Sequence, residues 1–414
     1  MVQKKRPVKN VLYLTYDGLT DPLGQSQVLP YVIGLQKKGY RLFVQSFEKK
    51  ERFNKSQKDI QQIVDAEGIV WLPEMFTSSP PLLSKLWDQR KMNNRAKEIC
   101  KTKNIHFLHC RSYVSAEAAI KIKATLGIPF LFDMRGFWVD ERVDNGQWNL
   151  KNPLYKALYK TYKKKELRYL AEAAQIISLT EKGKLELKNT YQVSENKITV
   201  IPCCVDLAHF DYRNILPKNQ EAARKKIGIP DGVPVLSYAG SLGGWYLLPE
   251  MMDFFLIFKK QFNQAIFLII TTDQNTDITA LAATKGIKES DIKVASASRN
   301  EMPLFLSLST WSLFFIKDAY SKKASSPTKQ GEIMAMGIPI ICNDIGDTGG
   351  IITASQSGWV VDNLKKTNYQ ETIEQMQNEN SKNPENIRNA AVRYFSLEDG
   401  IEKYASLYKK ISEA

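Results

Sequence analysis

A segment in the last quarter of the chain places a lysine and a glutamate at the start of a predicted helix. Pro327 suits the first turn of that helix and Gly337 its end. Thr328, Lys329 and Glu332 then lie in the first turn, and the three-residue spacing of Lys329 and Glu332 brings them to the same rim. A cation beside the positive end of a helix is unfavourable unless an anion also binds there. The segment therefore predicts an anion site, although a glutamate alone in a first turn would be ordinary capping.

A glycine-rich segment follows the apolar run Val235–Tyr238. It contains Gly240, Ser241, Gly243 and Gly244. Glycines directly after a strand let backbone N–H groups surround a phosphate, so this segment predicts a phosphate-binding loop. A flexible turn without a ligand is the alternative.

A second glycine-containing segment, residues 17–27, follows the first apolar run of the chain. Gly18 and Gly24 permit close approach of the backbone, and Ser26 is a candidate helix cap. A loop of this kind that leads into a helix offers N–H groups and a positive dipole to an anion. The pattern is not G-x-G-x-x-G, and a capped turn that binds nothing explains it equally well.

Charged residues follow two neighbouring apolar runs in the first half of the chain. They are Asp133, Arg135, Asp140 and Glu141 after one run and Arg111, beside His109, at the end of the other. We expect the first group to lie on a loop around two aromatic side chains. Charged groups at the carboxyl ends of parallel strands are candidates for a binding or catalytic site, and structural ion pairs within the loop are the alternative.

The elements that must position these residues repeat one pattern along the chain. Short apolar runs, such as Val11–Tyr16 and Phe107–Cys110, alternate with stretches of helical period, such as Ser115–Leu126 and Pro153–Ala173. Apolar runs separated by helices are typical of parallel sheets covered on both faces. The pattern starts again after a junction near residues 203–213, which predicts two doubly wound α/β domains.

Length and composition agree with two globular domains: 414 residues, 43% apolar and 25% charged. The apolar stretches fall short of the ~20 residues of a membrane-spanning helix, so no integral membrane segment is expected. Five cysteines without C-x-x-C spacing and three histidines predict no metal cluster.

Residues 1–200 hold 35 Lys and Arg against 20 Asp and Glu, net +15, whereas the rest of the chain has a net charge of −1. The two halves therefore face different partners.

A basic helix is predicted in the positively charged half, at residues 155–170. Its candidate membrane-facing or acceptor-facing cations are Lys160, Lys163, Lys164, Lys165 and Arg168. With tyrosines and leucines between them, these residues suit an anionic membrane surface. A solvated face of an ordinary surface helix is the alternative. A nucleic-acid-binding protein would also explain the charge, but it would leave the lysine–glutamate segment and the glycine loops unexplained.

The motifs together resemble the family 4 retaining glycosyltransferases with the GT-B fold. The resemblance lies in the run from Ser326 to Ile341, the glycine loop after Tyr238, Tyr16-Asp-Gly18 with Gly24-Gln-Ser-Gln27, Val200-Ile-Pro-Cys-Cys-Val-Asp206 and the closing Tyr394-Phe-Ser396. It extends over essentially the whole chain. It implies two Rossmann-like domains that face each other across a cleft, an acceptor-binding domain at 1–205, a donor-binding domain at 206–395 and a helix at 396–414 that crosses back to the first domain.

The resemblance also implies roles for the donor-site residues. Glu332 would hold the ribose hydroxyls of a nucleotide sugar, Lys329 and the N–H groups after Gly240 would neutralise its diphosphate, and Gly24 with Gln25 would close over it. Preorganised cations and dipoles of this kind stabilise a leaving diphosphate. No metal or other cofactor is expected, and retention is ascribed to front-face attack without a protein nucleophile.

Two departures from the family pattern affect the sugar site. The family commonly carries a first glutamate eight residues before the second, where this chain has Ala324, and a histidine near the position of Arg135. We expect Arg135, Arg111 and the pair Asp140 and Glu141 to face the transferred sugar and the acceptor.

The expected partners are a nucleotide sugar and a glycan or lipid-linked acceptor, with an anionic membrane surface and without nucleic acid. The resemblance implies a cytoplasmic enzyme of cell-surface polysaccharide synthesis, peripheral at the inner face of the membrane. A nucleotide-sugar epimerase of the same fold is the alternative reaction.

Overall fold

Two parallel β-sheets organise the chain in a computed structural model that describes residues 8–273, 277–379 and 382–413. The first sheet has the order β3-β2-β1-β4-β5-β6-β7 and the second has the order β10-β9-β8-β11-β12-β13. The strands of the first sheet are β1 Lys9–Thr15, β2 Tyr40–Glu48, β3 Val70–Met75, β4 Phe107–Arg111, β5 Phe130–Asp133, β6 Gln175–Ser178 and β7 Ile198–Val200. Those of the second are β8 Val235–Ala239, β9 Ile266–Ile270, β10 Ile292–Ala295, β11 Trp311–Phe314, β12 Ile340–Cys342 and β13 Gly358–Val360.

Helices connect successive strands in both sheets. In the first part of the chain they are α1 Pro22–Gln27, α2 Leu29–Lys37, α3 Lys50–Ala66, α4 Pro81–Thr102, α5 Ser112–Leu126, α6 Trp138–Asp144, α7 Pro153–Glu172 and α8 Glu181–Asn189. The later ones are α9 Pro217–Ile227, α10 Leu248–Gln261, α11 Ile278–Thr284, α12 Met302–Leu306, α13 Thr328–Ala335, α14 Thr348–Ser355, α15 Lys366–Asn378, α16 Pro384–Phe395 and α17 Leu397–Glu413. The predicted class, two doubly wound Rossmann-like α/β domains, is confirmed.

The central strands are buried along their whole length, as the continuous apolar runs of the sequence predict. Strands β4, β5, β8 and β9 are composed of buried residues throughout. In the second sheet, α10 contributes Phe254, Phe255 and Phe258 to the core, where Phe254 packs edge-on against Phe315. The sheets are therefore rigid supports for whatever follows their carboxyl ends.

Each sheet reverses its strand order at one point. Strand β1 pairs with both β2 and β4, and β8 pairs with both β9 and β11. In open α/β sheets, ligands bind outside the carboxyl ends of the strands beside such a reversal. The loops after β1 and β8 are the two glycine segments found in the sequence.

The chain divides into two compact units. One contains the described residues up to Pro202 together with those from Leu397 onward, and the other is Cys203–Ser396. The predicted boundaries, 205 and 395, lie close to these limits. The last helix, α17, therefore belongs to the first unit, where it packs against α2 so closely that a Cβ on Gly34 would lie 2.2 Å from Ile401.

No helix of the described residues is long and apolar enough to cross a bilayer. The five cysteines are buried and form no disulfide.

Candidate functional site

The glycine loop after β8 is held open at the reversal point of the second sheet. Gly240, Gly243 and Gly244 have φ values of +132°, +72° and +62°, in the region that favours glycine. The chain is tied down on both sides of the loop, because the Gly240 N–H donates to Ile270 and the Leu247 N–H donates to Phe315. Among the described residues, none accepts a hydrogen bond from the N–H groups of residues 241–245. The loop can therefore donate several backbone hydrogen bonds to an anion.

Helix α13 starts one residue later than the sequence predicts. Pro327 is its N-cap and Thr328 its first residue, so Glu332 lies just beyond the first turn. The end is as predicted: Gly337 is left-handed (φ +67°), and its N–H and that of Ile338 donate to Met334 and Ile333. These two hydrogen bonds satisfy the last carbonyl groups of the helix, and the chain then continues into β12.

Lys329 lies directly beneath the glycine loop. Its Nζ donates a hydrogen bond of 3.0 Å to the Tyr238 hydroxyl and lies 4.1 Å and 3.4 Å from the ring centres of Tyr238 and Tyr246. A Cβ on Gly240 would lie 2.6 Å from this Nζ. Burial lowers the pKa of Lys329 well below its usual value, although the Glu332 carboxylate opposes the shift. The positive charge on Lys329 is stabilised most when an anion binds beside it.

Glu332 and Arg299 form the next part of the site. The Glu332 Oε1 atom lies 3.7 Å from Arg299 Nη1. Burial raises the pKa of the Glu332 carboxyl, and the positive charges of Arg299 and Lys329 oppose the increase. A carboxylate with a single long contact to a cation retains acceptor capacity for hydroxyl groups.

The glycine loop after β1 is different, because a carboxylate of the protein already occupies its donors. Glu48, fully buried at the end of β2, accepts hydrogen bonds from the N–H groups of Leu19 (2.8 Å) and Thr20 (3.1 Å) and from the Thr20 hydroxyl. A Cβ on Gly18 would lie 2.5 Å from the same carboxylate. The expectation that this loop offers N–H groups to a bound anion is wrong for these donors.

Gly24, Gln25 and Ser26 lie within α1 and not in the loop, because the helix already starts at Pro22. Ser26 is therefore not the helix cap. Gly24 is buried, and a Cβ there would lie 1.9 Å from the Gly18 carbonyl oxygen, so packing alone requires a glycine. The part assigned to Gly24 and Gln25 in donor binding stays a prediction.

The structure brings Arg111, Asp133 and Arg135 together at the ends of β4 and β5. Arg111 is buried, donates from Nε to Asp17 (3.0 Å) and has its Nη1 3.9 Å from Asp133 Oδ2; Arg135 Nη1 lies 3.7 Å from Asp133 Oδ1. Burial alone would raise the pKa of Asp133, but Arg135, His109 (Nε2 3.5 Å from Oδ2) and Arg111 outweigh it and hold that pKa at about 2. Asp133 is thus an ionised structural centre, and Arg135 is the more exposed of its two arginine neighbours.

Asp140 and Glu141 are not on a loop. Both lie in the first turn of α6, where acidic side chains interact favourably with the helix dipole. The Asp140 carboxylate is buried and accepts hydrogen bonds from Tyr159 (2.8 Å) and Lys163 (3.0 Å). The expectation that Asp140 faces a substrate is therefore wrong, since its two oxygens hold α7 in place.

Helix α7 presents only part of its basic residues to solvent. Lys160, Lys164 and Arg168 are exposed, although Arg168 pairs with Glu172 at 2.8 Å. Lys165 is partly buried and pairs with Glu117 at 3.2 Å.

Lys163 points into the protein. Its Nζ contacts the carboxylates of Asp140 and Glu166 and the hydroxyl of Tyr191. The expectation that Lys163 lies on an exposed basic surface is wrong, because the Lys163 side chain pairs with two buried carboxylates.

Three further residues, not identified from the sequence, surround Lys329 and Glu332: Tyr238, Tyr246 and Arg299. Arg299 follows β10, so its position at a strand end could have identified it. Tyr238 lies in a buried strand and looks like a core residue, and only the tertiary structure shows that its hydroxyl meets Lys329.

The chain has two Rossmann-like domains, and in the second a glycine loop lies where the strand order reverses. These features are typical of two-domain α/β proteins that bind ligands at the ends of their strands. A family model described as Glycosyltransferase Family 4 matches residues 28–209, and one described as Glycosyl transferases group 1 matches residues 219–393. The chain belongs to the GT-B glycosyltransferase family and is a glycosyltransferase.

Solved structures share the fold at low sequence identity. A glycosyltransferase from Rickettsia africae is 16% identical, with 98% of both chains covered and a TM-score of 0.69. HepE from Anabaena, solved with UDP and glucose, is 11% identical, with 97% of this chain and all of the other covered and a TM-score of 0.68. WaaG, a glycosyltransferase involved in lipopolysaccharide biosynthesis, is 15% identical, with 96% and 99% covered and a TM-score of 0.65. No curated protein matches the chain significantly.

Proposed function

We propose that the protein transfers a sugar from a nucleotide-sugar donor, with retention of configuration, to a glycan or lipid-linked acceptor in the synthesis of a cell-surface polysaccharide. One observation supports the binding of a nucleotide sugar above all. The N–H groups of residues 241–245 lie together with the Lys329 side chain, and none of these N–H groups donates a hydrogen bond to another described residue. HepE, which shares the fold, was solved with UDP and with UDP-glucose. WaaG, which shares the fold, is involved in lipopolysaccharide biosynthesis, and this supports a role in the synthesis of a cell-surface polysaccharide.

The donor would bind with its diphosphate at the glycine loop. Lys329 and the loop N–H groups would stabilise the negative charge that develops on the leaving nucleoside diphosphate, which is the main electrostatic demand of the transfer. Glu332, whose second oxygen makes no hydrogen bond to another described residue, would accept hydrogen bonds from the ribose hydroxyls. These groups act without a metal or other cofactor, and we assign no protein nucleophile.

On the acceptor side we assign the contact with the transferred sugar to Arg135. It follows β5, it keeps part of its side chain accessible, and Asp133 lies beside its guanidinium. Arg111 is more deeply buried and would act by fixing Asp133 and Asp17. Glu141 stays a candidate for the acceptor side.

A thermal-shift screen with UDP, GDP, ADP and CMP and their sugars tests the donor assignment. We expect the nucleotides of one base, and not the others, to raise the melting temperature. Glu332→Ala should abolish that increase while the protein still folds. A melting temperature unaffected by every nucleotide would overturn the assignment of the donor site. The anomeric configuration of the product, determined by NMR, then tests retention.

We also propose that exposed residues of α7 bind an anionic membrane surface, which would place the enzyme at the inner face of the membrane. Lys160 and Lys164 are exposed, and Leu154 and Leu167 on the same helix are 66% and 51% exposed. Exposed leucines between lysines suit the headgroup region of a bilayer.

Co-sedimentation with phosphatidylserine vesicles tests this surface. Each lysine near an anionic surface contributes about 1 kcal/mol, so Lys160→Ala/Lys164→Ala should weaken binding by about 30-fold. Lys225→Ala/Lys226→Ala, which removes the same charge from exposed positions of the second unit, should leave binding unchanged. Equal binding by both double variants would contradict the proposal.

A further inference from the structure

Two tyrosines of the last helix, one turn apart, make hydrogen bonds with residues of two neighbouring strands in the first sheet. The Tyr404 hydroxyl donates to Asp133 Oδ2 at 3.0 Å, and the Tyr408 hydroxyl lies 2.7 Å from His109 Nδ1. All four side chains are buried. A buried hydroxyl with a charged partner is costly to leave unpaired, so these bonds fix the position of α17 and equally the position of the groups it contacts.

The Asp133 carboxylate divides its contacts between its two oxygens. Oδ2 accepts from Tyr404 and lies 3.5 Å from His109 Nε2 and 3.9 Å from Arg111 Nη1. Oδ1 lies 3.7 Å from Arg135 Nη1 and makes no hydrogen bond to any described residue. The carboxylate can rotate about its terminal bond unless something holds one oxygen. Tyr404 holds Oδ2 and thereby directs Oδ1 towards Arg135.

The backbone at Arg135 needs such support. Arg135 has a left-handed backbone (φ +60°), and Gly136 follows with φ +118°. A non-glycine residue in this region is strained, and such strain persists only where the surroundings over-determine it. The carboxylate beside the Arg135 guanidinium is one of the contacts that determine where this side chain points.

We infer that Tyr404 is a positioning residue: through Asp133, it holds the Arg135 guanidinium in the orientation used in sugar transfer. This inference rests on the proposed function, in which Arg135 contacts the transferred sugar. It makes the last helix, far away in sequence, a functional part of the first domain's site. The Tyr40 hydroxyl donates to the backbone carbonyl of Ala405 on the same helix at 3.2 Å, so Tyr40→Phe is a matched control for the effect of merely anchoring α17.

The first experiment measures the reactivity of Arg135 in the full-length protein. Phenylglyoxal modifies accessible guanidinium groups, and mass mapping of peptides gives the rate at Arg135. We expect Tyr404→Phe to accelerate modification of Arg135 severalfold and Tyr40→Phe to leave it unchanged, with similar small losses of melting temperature. Equal rates at Arg135 in the two variants would overturn the inference.

The second experiment measures hydrolysis of UDP-glucose, GDP-glucose and ADP-glucose, in which water takes the place of the acceptor and nucleoside diphosphate is released. A small misplacement of a positioned group costs one to two orders of magnitude, so Tyr404→Phe should lower kcat about tenfold at an unchanged donor KM. In an Arg135→Ala background the same change should have no further effect. Additive losses would contradict action through Arg135. Absence of turnover by the wild-type protein would contradict the proposed function itself, and the modification rates would still decide whether Tyr404 positions Arg135.

Discussion

Replacing Gly240 by alanine tests whether the glycine loop and Lys329 act together. Gly240 has φ +132°, where a non-glycine residue costs about 1–3 kcal/mol. For a domain of this size, ~2 kcal/mol corresponds to a fall of roughly 4–8 °C in melting temperature. The new Cβ would also lie 2.6 Å from Lys329 Nζ, so the ammonium must move. A hydrogen bond between charged groups contributes about 1.5–3 kcal/mol, and its loss predicts roughly 10- to 100-fold weaker binding of a nucleoside diphosphate.

Isothermal titration with the nucleoside diphosphate selected in the screen measures this effect, and Gly232→Ala, outside the loop, is the matched control. Gly232 also has a positive φ, +72°, but a Cβ there meets no atom within 4 Å. We expect this variant to lose about 1 kcal/mol of stability and to keep its affinity. In a Lys329→Met background, Gly240→Ala should weaken binding no further. Equal affinities of the Gly240→Ala and Gly232→Ala proteins would refute the reasoning.

Three further changes test the rest of the site. Glu48→Gln removes the charge that the first glycine loop surrounds, so it should destabilise the protein by about 2–4 kcal/mol in urea titrations while diphosphate affinity stays unchanged; weaker diphosphate binding would contradict a purely structural loop. The Asp133 pKa of about 2 lies below its unfolded value, so ionised Asp133 stabilises the protein above pH 4 and this contribution is lost as the pH falls towards 2. Wild type should therefore lose about 1 kcal/mol more than Asp133→Asn between pH 5 and pH 3, and parallel curves would contradict the assignment. Lys163→Met should cost about 2 kcal/mol because it leaves two buried acids without their cation, whereas exposed Lys164→Met should change stability by less than about 0.5 kcal/mol; equal costs would show that Lys163 is not internal.

The sheets were predictable because parallel strands are buried on both faces. Runs such as Phe130–Phe132, and Phe107–Cys110 apart from its histidine, are apolar and end at a charged residue, and the structure has strands at both. The end of α13 was equally predictable, since Gly337 takes the left-handed conformation that closes a helix. Local residue types determine these features.

The environment of charged residues was not predictable from local pattern. Glu48 ends a strand almost thirty residues after the loop whose N–H groups it accepts, and Lys163 turns inward because Asp140 and Glu166 lie there. Tyr404 meets Asp133 across 271 positions of sequence. A glycine loop with free donors and one with occupied donors have the same residue types, and only the tertiary partner distinguishes them.

A crystal structure of the protein soaked with the selected nucleoside diphosphate tests the central claim most directly. The account predicts that the diphosphate oxygens lie about 3 Å from N–H groups of residues 241–245 and from Lys329 Nζ, with the ribose hydroxyls at the Glu332 carboxylate. Binding of the diphosphate at the loop of Gly18 and Thr20, or at any place away from Lys329, would contradict it.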